Sequence, residues 1–136
     1  MPLTSQSILF CFLFAGLCNA VSADADSSCL QHLGGGYEDT ICYGNLSTSL
    51  TKDNKRIYAK VHAEIPTGNP HAKLLEAYMA AQDNALKFCE LPRDAGAGWE
   101  QSPEGSMYPA LYAECVYDVR KSQNAFLTDL LKMSEW

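Results

Sequence analysis

The side chains able to do chemistry in this 136-residue chain are few and widely spaced. Its three histidines, His32, His62 and His71, have no Ser or Cys neighbour in a recognisable nucleophile motif. No Cys-x-x-Cys pair and no His/Cys grouping at zinc spacing occurs, so neither a structural metal nor a cofactor is expected. Catalysis is not expected either. What stands out instead is a stretch suited to contact, residues 93–107, which holds Asp94, Trp99, Glu100, Ser102 and Glu104 among three glycines and Pro103. An aromatic side chain flanked by carboxylates and a hydroxyl, on a loop that Gly and Pro keep exposed, suits docking onto another protein. Trp99 would be its anchor, because buried aromatics dominate interface energies. The alternative is that Trp99 folds back over the core and the carboxylates are merely solvated.

The cysteines bear on where the chain resides. Cys11 lies in an apolar run from Ser7 to Leu17, with Cys18 just after it, and small residues follow. The run is shorter than the roughly 20 apolar residues a membrane-spanning helix needs. Val21-Ser22-Ala23 fits a signal-peptidase site, with Cys18-Asn19-Ala20 as second choice. Residues 1–23 are therefore expected to be a secretion signal, and 24–136 a single mature domain with no stable membrane insertion. The run lacks a preceding Lys or Arg, so its positive flank rests on the α-amino group alone. Leu17 ahead of Cys18 argues against lipid attachment. A periplasmic or secreted location permits disulfides, and cleavage leaves Cys29, Cys42, Cys89 and Cys115, enough for two. The formal charge of −6 lies wholly downstream of the signal. It disfavours nucleic acid and favours a cationic protein partner, as it would for any acidic soluble protein.

The elements that must position these groups read as helices. Ile41, Leu46, Leu50, Ile57, Val61 and Ile65 recur at helical intervals between about Tyr37 and Ile65. Residues 66–70 are a turn in which Asn69 suits a cap and Pro70 the first helical position. A second helix should run to about Cys89, burying Leu74, Leu75, Tyr78, Ala81, Ala85 and Phe88 on one side. Residues 91–105 read as loop, Ser106 as the cap of a last helix, and residues 24–36 as an irregular arm. The expected fold is all-α, a small antiparallel three-helix domain stapled by two disulfides. Four cysteines allow three connectivities. Cys42 and Cys89 lie almost equally far from the turn between the first two helices, which favours Cys42–Cys89 with Cys29–Cys115. Arg120 is expected to pair with Glu114 or Asp118 on its own helix, or to bond the carbonyls of the long loop. Tyr58, Tyr78 and Tyr112 are expected to pack. Asn45-Leu46-Ser47 matches a glycosylation sequon, relevant only in a eukaryotic host.

Ala81-Gln82 followed by Phe88, then a loop, then Gly105-Ser106-Met107 with Tyr112, Cys115 and Arg120, resembles the LprI-like lysozyme-inhibitor family. Cys29, Cys42 and Tyr58 resemble that family's first half. Two positions depart from the pattern: Ala85 stands where the family has a Trp, and Cys89 where it has an Arg. The resemblance implies a bacterial, helical, exported protein that binds rather than catalyses. Its concrete form is an inhibitor of lysozyme-like muramidases that blocks the cleft with residues 93–107. The alternative is a periplasmic interaction or immunity protein with a different envelope partner and no effect on lysozyme.

Overall fold

The computed structural model describes residues 26–135, so the expected signal segment lies outside the described residues. A 3-10 helix, Ser27–His32, leads through three glycines into α1, Tyr37–Glu64. Asp39, in the first turn of α1, is buried and accepts from the backbone N–H groups of Gly34 and Gly35. That carboxylate folds the arm back onto the helix it precedes. After the Pro66–Pro70 turn comes α2, His71–Ala85. Asn69 Oδ1 accepts from the His71 N–H at 2.9 Å, in keeping with its expected capping role, while Pro70 stands at the N-cap position rather than the first helical one.

Where a loop was expected from Leu91, the chain remains helical. A 3-10 turn, Leu86–Cys89, passes directly into α3, Glu90–Gly96, and only then does the loop to α4, Met107–Ser134, begin. Pro92 explains both features. It lies in the first turn of α3, where a missing N–H leaves nothing unpaired, yet its ring would crowd the Phe88 carbonyl in a continuous α-helix. The tightened turn before it relieves that clash. Among the described residues the fold is thus all-α, with four α-helices where three were expected, and no strand occurs. Ser106 stands at the N-cap position of α4, as expected, but its side chain makes no capping bond.

The 26 residues from His71 to Gly96 measure about 40 Å at 1.5 Å per residue, close to the length of α1. They return the chain to the end where it started, so α4 begins beside the beginning of α1 and runs parallel to it. Contacts rise in step along the two helices. Tyr43 meets Tyr117 with ring centroids 5.5 Å apart, Asn54 bonds Gln123 at 3.0 Å, and Ile57 and Val61 pack with Leu127. Leu75 completes this core from α2, with Tyr58, Tyr78, Met79 and Leu130 around it. Each fully buried aliphatic side chain contributes about 2 kcal/mol. Leu74, Ala81 and Phe88, expected on the inner side, face solvent instead. The Arg120 guanidinium points to the junction of α1, α2 and α4. There it meets Asp83 at 2.8 Å and Gln123 at 3.0 Å, rather than Glu114, Asp118 or the loop carbonyls.

The disulfides overturn the expected pairing. Cys29 bonds Cys42 and Cys89 bonds Cys115, with Cα–Cα distances of 5.8 and 5.5 Å. Equal distance from the turn did put Cys42 and Cys89 at the same level. Direction around the helix axis decided the outcome, because Cys89 faces α4 while Cys42 meets the arm that Asp39 folds back.

Two outcomes follow from this packing. Non-reducing peptide mapping should give crosslinks 29–42 and 89–115. Their sequence separations of 13 and 26 correspond to loop-closure contributions of about 3 and 3.5 kcal/mol, so losing the second should lower stability slightly more. The Tyr43 hydroxyl donates to Glu114 Oε1 at 3.3 Å, and burial, then the Glu114 charge, raise its pKa above the usual 10.0. A raised value means the neutral phenol is favoured in the folded state. Its contribution is complete below pH 10 and is lost as pH climbs through the folded value. Denaturant titrations should show stability falling above pH 10, and the Tyr43→Phe variant should fall less.

Candidate functional site

The 97–106 loop rests on a firm platform. Helix α3 lies so close to α4 that a Cβ at Gly96 would stand 2.9 Å from Leu111 Cδ1, so only glycine fits there without displacement. Cys89–Cys115 ties the preceding turn to the same helix, and the Arg93 guanidinium lies 6.0 Å from the Tyr112 ring centroid. The Asp94 carbonyl accepts from the Ala97 N–H at 3.1 Å and the Trp99 N–H at 2.7 Å, which closes the end of α3. This closure needs left-handed backbone at Gly98 and Trp99, with φ of 65° and 70°. Glycine adopts that conformation freely; for tryptophan it costs about 1–2 kcal/mol. Ser102 is a second non-glycine residue in this region, with φ of 50°. Strained positions of this kind cluster at active sites, ligand clamps and switch regions.

The strain displays the ring. Trp99 is 68% exposed, so it does not cover the core. Glu100, Ser102 and Glu104 are exposed beside it. Asp94 is different: its carboxylate accepts from Arg93 Nε at 2.7 Å and its side chain is only 17% exposed. Its structural role is to brace the loop through its backbone and to hold Arg93. Of the five residues marked in the sequence, the loop therefore presents four to solvent, and Asp94 lies beneath them.

Exposed apolar residues extend this surface beyond the loop. Phe88 and Leu91 are 58% and 55% exposed, Met107 stands at the start of α4, and Tyr37 opens α1. Phe88 carried the opposite signal in the sequence, fitting the apolar stripe of α2 until the 3-10 turn rotated it outward. Tyr37 carried none, because its proximity to the loop depends on how α1 and α4 pair.

Elsewhere the chemistry is sparse. Among the described residues no group of three or more His, Cys, Asp or Glu is placed to hold a metal ion. His62 lies 3.7 Å from Glu76, and His71 Nδ1 is 2.8 Å from Asn69 Oδ1. Neither adjoins a candidate nucleophile. An open groove of about 710 Å³ separates the N-terminal arm from α1, lined by Asp26, His32, Glu38, Asn45 and Lys52. A second, apolar groove of about 470 Å³ lies at the α1–α2 turn, walled by Ile65, Leu74, Tyr78, Phe126 and Met133. No described helix is long and apolar enough to cross a membrane.

The chain matches no protein-family model, no curated protein and no solved structure.

Proposed function

We propose that this chain is an exported, disulfide-stapled binding protein whose 97–106 loop occludes the cleft of a basic, lysozyme-like muramidase. The observation that carries the proposal is the display of Trp99, 68% exposed on a left-handed backbone and braced from below by α3 and Cys89–Cys115. A free loop would lose conformational entropy on docking; one already fixed by a disulfide and a helix loses less. Glu100 and Glu104, exposed on the same loop, complement the basic rim of such an enzyme. The cleft they would enter holds two carboxylates, so the tryptophan must fill it while the acids stay at its edge. Two disulfides and the absence of a membrane-crossing helix among the described residues are compatible with a periplasmic or extracellular location.

The oxidised mature domain should inhibit at least one lysozyme type in a dose-dependent manner. Inhibition should weaken as ionic strength rises, because exposed charges are screened. Trp99→Ala should cost at least about 2 kcal/mol of binding, the range of an interface hot spot. Equal inhibition by the folded Trp99→Ala variant would exclude the loop as the plug. Failure of the folded wild-type domain against all lysozyme types would exclude the enzyme class.

A further inference from the structure

The net negative charge of this protein is concentrated, because its cations, unlike its acids, are confined to part of the chain. Between residues 26 and 51, and again between 94 and 119, the sequence contains no Lys or Arg. These stretches are far apart in the chain, yet the parallel pairing of α1 and α4 lays them side by side. Tyr43 meets Tyr117 and Glu114 within this region, and at its tip a Cβ on Gly36 would lie 3.8 Å from Ser106 Oγ. The result is one end of the molecule carrying exposed Asp26, Glu38, Glu100, Glu104, Glu114 and Asp118. The cations bordering this end are partly occupied: Arg93 is held by Asp94, Lys87 lies 5.3 Å from the Phe88 ring centroid, and Lys121 lies 5.6 Å from the Tyr117 ring centroid. Lys52 borders the groove that Asp26 and Glu38 line, and Lys55, Arg56 and Lys60 lie further along α1.

The same end is also aromatic and apolar. Tyr37 is 68% exposed, as is Trp99, and Leu33, Ile41 and Met107 accompany them. A ten-residue loop is too small for a stable protein interface, which takes roughly 20–30 residues a side. The first turn of α1 and the arm before it are the surface available to complete one.

From this we infer that the docking face is composite, Trp99 and its loop on one side and Tyr37 with Glu38 of α1 on the other. Its occupant is the basic surface of a folded protein. This inference deepens the muramidase reading and rests on it for the enzyme class, but the charge and geometry require only a cationic protein. The acid ring steers and orients such a partner, while the two aromatic side chains supply contact area.

The test is an NMR titration of the full oxidised domain with a basic lysozyme and, separately, with a basic protein lacking muramidase activity. Tyr37→Ala, Glu38→Lys and the distal control Glu64→Lys are measured alongside. Salt-sensitive shift changes on residues 33–41 together with 97–107 are expected. Affinity should fall about tenfold or more for Tyr37→Ala and Glu38→Lys, with little change for Glu64→Lys. If the second protein docks on this face and lysozyme does not, the composite face stands and the enzyme class falls. Lysozyme binding confined to 97–107, indifferent to Tyr37 and Glu38, overturns the composite face while leaving the plug intact. Binding by neither protein, or binding that shifts the opposite end, overturns the inference outright.

Discussion

The arrangement depends on a buried set of amides between α1 and α4. Asn54 and Gln123 are each 1% exposed. The Asn54 amide donates to the Arg120 carbonyl and to Gln123 Oε1, both at 3.0 Å, while its oxygen accepts from Asn124 at 2.8 Å. Arg120 adds a third helix by reaching Asp83 on α2, and the Gln123 amide nitrogen lies 3.3 Å from the Met79 sulfur. Apolar packing of Ile57, Val61 and Leu127 rewards proximity but tolerates sliding. The amides do not. A slip of one turn, or reversal of either helix, would bury these groups unpaired, at about 1–3 kcal/mol each.

From that constraint the rest follows in order. Register between α1 and α4 sets their starts side by side, so the connecting segment must travel the full length of α1 back again. Helix α2, the 3-10 turn and α3 make that journey against α4, and Cys89–Cys115 fixes its end. The loop can then only emerge beside Tyr37 and the N-terminal arm. Trp99 is held outward by the closure of α3, not by contacts of its own ring. Position is therefore inherited from the bundle, and exposure from local backbone geometry.

Much of this was legible in the residues. The apolar period marked α1, Asn69-Pro70 marked the start of α2, and glycine and proline marked the loop that carries Trp99. The failures share a cause, in that each depended on which neighbour a residue faces. Cys42 and Cys89 were placed at the right level, but periodicity along one helix does not say which helix lies opposite. Pro92 read as a breaker, although in a first helical turn it is tolerated. Phe88 fitted the buried stripe until a four-residue 3-10 turn changed its direction. Arg120 has acidic neighbours two and six residues away on its own helix, Asp118 and Glu114, yet its partner is Asp83 on α2. The clustering of acidic groups could not be seen at all, because two cation-free stretches become one surface only through parallel pairing.

That pairing can be measured directly by spin-label distances on exposed positions of the oxidised domain. Labels at Ala63 and Met133, near the ends of α1 and α4, should lie close together. Labels at Ala63 and Met107 should be separated by about 40 Å, the length of a 28-residue helix. The reverse, a short distance from Ala63 to Met107 and a long one to Met133, would make the helices antiparallel. It would scatter the acidic groups to opposite ends and remove the basis of the composite face.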